Sequence, residues 1–355
     1  MPGKTVIFLT AKINNSAQRR RISFRRLLFS RLCMFGRKNG IEFLKIMEES
    51  KSINQLVSLP GLADFGVSLF MKREDLIHPV VSGNKYRKLK YNLQLAREQG
   101  AERLLTFGGA YSNHISALSY AGRMNQMETV GIIRGEELGD RLHEVLSSNP
   151  TLGFAASNGM RFHFVSREQY RKRTDPAFLE ELDAEYGPFY LVPEGGTNAL
   201  AVKGCEEILV AGDVEFDYVC APVGTGGTLA GIVNSLANHQ QGLGFQSLQG
   251  DFLKEEISRY TIPDRNWSLI DAYHFGGYAK VNENLISFIN EFYRSTTIPL
   301  DPVYTGKMMY GIVDLIKKRY FRKNSKILAV NTGGIQGISG MNKLLKKKNL
   351  PEIWT

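Results

Sequence analysis

Arg103-Leu-Leu-Thr-Phe-Gly-Gly-Ala-Tyr-Ser-Asn-His114 reads as five strand-forming residues, a glycine pair and the start of a helix. The apolar run Arg103–Phe107 predicts a strand, and Ser112–Ala121 predicts the helix that follows. Upstream, Leu89, Leu93 and Ala96 mark one face at i, i+4 and i+7, so a helix is expected from near Lys85, with Gly100 as its C-cap. Before it stands a strand-like run, Gly66–Lys72, and after the second helix another, Thr129–Arg134. Strand, helix, strand, helix, strand is the order of an α/β fold with parallel pairing. The alternation resumes at Phe189–Pro193, Phe216–Pro222, Phe245–Leu248, Leu269–Phe275 and Lys326–Asn331.

Glycine makes up 35 of the 355 residues, nearly one in ten against about 7% in an average protein. Much of the excess is placed deliberately. Gly-Gly occurs at 108–109, 195–196, 226–227, 276–277 and 333–334, twice directly after a strand-like run, twice one residue later and once a few residues beyond one. In open α/β sheets ligands bind at the carboxyl ends of strands, where backbone must come close. Five such pairs predict a cleft crowded by a cofactor.

The length suits one large or two medium domains. Lys plus Arg is 45 and Asp plus Glu is 35, a net charge of +10. That sum suggests a nucleic-acid or membrane partner until the charge is located. Ten cations precede the first acidic residue, Glu42, and the remainder carries 35 of each sign. The body is formally neutral, which argues against a nucleic-acid reader. No apolar run approaches the roughly 20 residues of a membrane span. Cys33, Cys205 and Cys220 are odd in number and form no CxxC pair, so a reducing compartment is expected rather than disulfides or zinc. Residues 1–40 read as a separate basic head, either a tail, a stretch ahead of a start at Met34 or Met47, or a transit segment. The expected location is the cytoplasm, or an organelle if the head is such a segment.

Two motifs carry chemistry. Pro222-Val-Gly-Thr-Gly-Gly-Thr228 follows a strand and precedes the helix-like Leu229–Ala237. Its amides, with a helix N-terminus behind them, make a site for one phosphate. The P-loop ending and the dinucleotide fingerprint are both absent. Ser82-Gly-Asn-Lys-Tyr-Arg-Lys-Leu89 puts Lys85 at a helix start, where the positive dipole end favours the free amine. Such an amine can form a Schiff base with an aldehyde. Alternatively, Lys85, Arg87, Lys88 and Lys90 form a solvated basic face.

These two segments, with Gly108-Gly-Ala-Tyr-Ser-Asn-His114, Asp301-Pro-Val-Tyr-Thr-Gly-Lys307 and Thr332-Gly-Gly334, occur in an order that resembles the D-cysteine desulfhydrase / 1-aminocyclopropane-1-carboxylate (ACC) deaminase family. Those are pyridoxal-phosphate (PLP) enzymes of fold type II, and the resemblance spans roughly residues 50 to 345. It implies two α/β domains, each an open, mostly parallel sheet flanked by helices, with the cofactor between them. The larger would join 41–84 with 166–355, and the smaller would be 85–165. It also implies a homodimer. By the resemblance Lys85 would carry PLP, and Lys88 would reach its phosphate together with Gly224, Thr225, Gly226, Gly227 and Thr228. Asn113 would bond the phenolic oxygen. Ser112, Asn113 and His114 would seat the substrate carboxylate, with Ser112 also able to relay a proton. Tyr278 and Tyr304 match the two active-site tyrosines of the family.

Thr305 and Thr332 speak to the reaction. In the ACC deaminase pattern the first position is Glu, which pairs with the pyridine nitrogen, and the second is Leu; in the desulfhydrase pattern both are Thr. A carboxylate keeps the ring protonated and strongly electron-withdrawing, as ring opening requires, whereas hydroxyls suffice when thiolate leaves. The resemblance therefore implies β-elimination from a small amino acid, D-cysteine first and ACC as the alternative. Tyr111 and His114 depart from residues common at their positions.

Overall fold

The computed structural model describes residues 48–81, 83–250 and 252–355, and the basic head lies outside them. Ten strands fall into two sheets. The larger contains β1 (Asn54–Leu56), β2 (Ser68–Lys72), β7 (Tyr218–Val223), β8 (Gln241–Gln246), β9 (Trp267–Ile270) and β10 (Lys326–Val330). Their spatial order is β1-β2-β10-β7-β8-β9, and only the edge strand β1 is antiparallel to its neighbour. The smaller sheet orders β5 (Arg161–Val165), β4 (Glu128–Arg134), β3 (Arg103–Gly109) and β6 (Tyr190–Val192), all parallel.

Parallel strands covered on both faces need apolar side chains at every position. β7 meets this in full, being buried along all six residues. Tyr218 and Cys220 join the core cluster that contains Met308, Met309 and Ile312. Val219, Ala221 and Val223 point the other way, onto Leu229, Ile232 and Val233. Cys205 and Cys220 are buried free thiols. No helix among the described residues is long and apolar enough to cross a membrane.

Three expectations about elements change. Although the sequence assigns 166–355 to the larger domain, β6 from that stretch pairs Leu104 with Tyr190 and Thr106 with Val192 in the smaller sheet. β8 begins at Gln241 rather than Phe245, because its buried N-terminal half contains Gly242 and Gly244, which carry no apolar signature. β9 stops at Ile270 rather than running to Phe275. From Phe275 the backbone turns left-handed, at φ +55° there and +55° at Ala279, with two glycines between them. A strand cannot continue through such angles.

The segments that follow the carboxyl ends of β3, β6, β7 and β10 line one cleft, with Tyr111, Gly195, Gly226, Gly333 and Gly334 on its walls. Gly83 shows how tightly the chain converges there. It has φ +57°, and a Cβ on it would lie 2.3 Å from the carbonyl oxygen of Thr332. Only glycine allows the loop before Lys85 to touch the loop after β10.

Candidate active site

Helix Asn84–Glu98 begins at the cleft with Asn84 and Lys85, and it places Lys88 one turn on. Burial first, and the neighbouring Lys88 next, lower Lys85 to about 7 against opposing pulls from Cys205 and Asp301. At neutral pH about half of such a lysine is free amine. Lys88, also lowered by burial, donates from Nζ to Thr197 Oγ1 at 3.0 Å, the Gly195 carbonyl at 3.2 Å and Thr225 Oγ1 at 3.4 Å. The basic-face reading of this segment is therefore overturned: Arg87 and Lys88 are buried, and Arg87 is forked onto Glu74 at 2.9 and 3.0 Å.

Opposite Lys85, Gly224–Thr228 leaves β7 and enters helix Gly227–Ser235, with Gly226 at φ +86° as its cap. Asn84 Nδ2 donates to Thr228 Oγ1 at 2.9 Å, tying the lysine helix to this loop. The cradle, Lys85 and Lys88 share a cavity of about 190 Å³ with Ser112, Asn113, His114, Tyr278, Tyr304 and Thr332. Of the residues that the sequence singles out, Gly227 and Thr305 do not line it.

Ser112 caps helix Asn113–Met124, its hydroxyl accepting from the His114 amide at 3.3 Å. Asn113 Oδ1 and His114 Nδ1 are both buried without a partner. The histidine's tautomer follows from its neighbour. Thr106 Oγ1 gives its single proton to the Val192 carbonyl at 2.7 Å, so its 2.9 Å contact with His114 Nε2 requires a proton on that nitrogen. Burial, Lys85 and Lys88 hold the imidazole neutral, far below its usual pKa. Nδ1 therefore offers a lone pair, and the side chain of His114 has no proton for a carboxylate.

Tyr278 and Tyr304 meet edge to face with ring centroids 6.2 Å apart. Both phenols are pushed up by burial, Tyr304 well above its normal range, while a hydrogen bond from Tyr304 favours ionisation of Tyr278. Of the two, Tyr278 is the easier to deprotonate.

Thr305 is turned away from the cavity. Its hydroxyl accepts from the Asp301 amide at 2.9 Å and donates to Asp301 Oδ2 at 2.7 Å. The residue that the sequence leaves unremarked is Asp301, which lines the cavity and accepts from the amides of Val303, Tyr304 and Thr305 at 2.8–2.9 Å. Its signal was the aspartate that opens DPVYTGK, four residues before the start of a helix. Thr197 and Gly195, which hold Lys88, were signalled only by the glycine pair at 195–196.

A half-neutral lysine within reach of a phosphate-sized cradle belongs to enzymes that hold an aldehyde cofactor by its phosphate. Residues 50–333 match the family described as pyridoxal-phosphate dependent enzyme, and the chain belongs to that family. It is 31% identical over 317 residues to the mitochondrial bifunctional D-cysteine desulfhydrase/ACC deaminase of Arabidopsis thaliana, covering 79% of this chain and 75% of that one. A solved structure of an ACC deaminase homologue superposes with a TM-score of 0.68 at 27% identity, covering 83% of this chain and 93% of its own. Threonine deaminase isoform 2 of Solanum lycopersicum shares the fold at a TM-score of 0.57 and 17% identity, covering 83% and 88%. The chain is thus a PLP-dependent enzyme of fold type II, in the group that holds ACC deaminases and D-cysteine desulfhydrases. The cavity suits the cofactor, since it pairs a glycine-built anion cradle with two lysines.

Proposed function

We propose that the chain catalyses β-elimination from a small β-substituted amino acid, D-cysteine being the substrate of choice. The reaction converts D-cysteine and water to pyruvate, ammonia and hydrogen sulfide. The observation that carries this reading is the charge of the cavity. Among the described residues its one lining carboxylate is Asp301, whose oxygens already accept four hydrogen bonds from its own turn. A hydroxyl, Thr332, stands on the wall instead.

PLP, when bound, supplies the electron sink that makes the Cα proton of an amino acid removable. The rest of the work falls to the chain. Lys85 is the nucleophile that holds the cofactor and, as a free amine, the base that takes the Cα proton. Lys88 and the amides of Gly224–Thr228 hold the phosphate, with the helix N-terminus behind them. Asn113 would bond the phenolic oxygen. Ser112 and the start of helix Asn113–Met124 seat the substrate carboxylate, and the His114 ring, with no proton to offer, takes no part in it. Tyr278, with Tyr304 behind it, gives a proton to the departing group. Thr332 would be a weak partner for the ring nitrogen, enough for a leaving thiolate.

ACC deamination is the second reading, supported by the names of both the plant relative and the solved homologue. A side-by-side assay of purified holoenzyme decides between them. Hydrogen sulfide and pyruvate from D-cysteine at a kcat/KM at least tenfold that for 2-oxobutyrate release from ACC is the expected result. Preferential turnover of ACC would overturn the argument from Asp301 and Thr332.

A further inference from the structure

The loop that presents Tyr278 is fastened by one face of helix Thr305–Lys317. Lys307 is 1% exposed, and its Nζ donates to the carbonyls of His274 at 2.8 Å and Gly277 at 2.7 Å. One turn on, the ring of Tyr310 packs edge to face on Phe275 with centroids 5.0 Å apart. A further turn on, Asp314 accepts from Tyr273 Oη at 2.7 Å. Positions 307, 310 and 314 share one face of a helix, so the loop is held at three points along it. The backbone there needs holding: Phe275, Gly276, Gly277 and Ala279 all have positive φ, a conformation that non-glycine residues adopt only under constraint. The same helix starts beside Tyr304, its N-cap. One element thus carries the first tyrosine and grips the loop bearing the second.

We propose that Lys307 is a positioning residue that holds Tyr278 against Tyr304 by binding the two turn carbonyls on its N-terminal side. Its consequence for turnover rests on the reading of the site given above. Lys307→Met is a clean probe. Each carbonyl keeps a second donor, Gly277 N on His274 O at 3.0 Å and Lys280 N on Gly277 O at 3.2 Å, so the variant strands no acceptor. Lys307→Gln, which retains one donor, should fall between it and the wild type.

The test is hydrogen exchange on the full chain without PLP, followed by kinetics on the holoenzyme. In Lys307→Met, amides of 273–280 should exchange at least tenfold faster, while those of β7 are unchanged. The bound-cofactor absorbance should persist, and kcat should fall 10- to 100-fold with KM within threefold. In a Tyr278→Phe background, adding Lys307→Met should cost less than a further twofold. Unchanged exchange at 273–280 in both variants would overturn the proposal, as would losses that multiply with Tyr278→Phe. If the wild type turns over neither D-cysteine nor ACC, the proposed function falls, and the exchange contrast alone decides whether Lys307 holds the loop.

Discussion

Lys85 illustrates how much of an enzyme can depend on one desolvated amine. An ordinary lysine at pH 7 has only about one molecule in 3,000 as free amine. Brought to about 7 by burial and Lys88, Lys85 is half free, and only that form attacks a carbonyl. The sign follows directly: deprotonation increases as pH rises through 7. Capture of PLP by the cofactor-free protein, followed by absorbance, should therefore accelerate from pH 6, reach half its limit near 7 and level off by about 8.5. Lys85→Ala should capture none and lose at least a thousandfold in turnover. A half-maximum near 10 would mean that the amine is solvated. The importance of this lysine was legible in SGNKYRKL, but the tautomer of His114 was not. It is set by Thr106 and Val192, which lie on neighbouring strands that a linear reading cannot register.

At the start of helix Thr305–Lys317, DPVYTGK was legible as a motif and misread in direction. Thr305 looks like a residue facing the ring because it follows a catalytic-type tyrosine. The helix instead begins there, and the first residue of a helix has an amide and a short side chain that a preceding aspartate captures. Asp301 takes three amides and the Thr305 hydroxyl, and so fixes the backbone on which Tyr304 sits. Asp301→Asn replaces one acceptor oxygen with a donor facing the Thr305 amide. An unmet buried donor costs about 1–3 kcal/mol, and the melting temperature should fall by a few degrees. Because Tyr304 moves with the cap, kcat should fall more than stability alone predicts, by about tenfold or more, while PLP binding by Lys88 and the 224–228 loop stays within threefold. Calorimetry and cofactor titration on the same samples check both halves. Elements with strong periodicity, such as helix Asn84–Glu98 and β7, were readable from sequence. The left-handed loop after β9 was not, since Leu269–Phe275 is apolar enough for a strand and its turn is imposed by Lys307 and Tyr310.

Across the whole molecule the cleft is closed by contacts between distant parts of the chain. Lys343, on helix Ile338–Lys347, donates to the Ser148 carbonyl at 2.8 Å, and Tyr111 packs so closely on Gly340 that a Cβ there would sit 3.1 Å from its ring. All the charge that the site needs is local to this cleft, in Lys85 and Lys88. The ten unbalanced cations of the chain lie before Glu42, outside the region that matches the family, which starts at residue 50. The two quantities are therefore separable. Removing residues 2–40 subtracts ten positive charges and leaves a body with 35 of each sign. Long-range attraction to polyanions scales with such net charge and is screened within about 10 Å at 0.1 M salt. The shortened chain should elute from a heparin or cation-exchange column at markedly lower salt than the full chain. Its PLP absorbance, its kcat/KM for D-cysteine and its exchange protection in β7 should match those of the full chain within twofold. Retained affinity for the polyanion would place a basic surface on the body, and loss of PLP binding would place part of the site in the head.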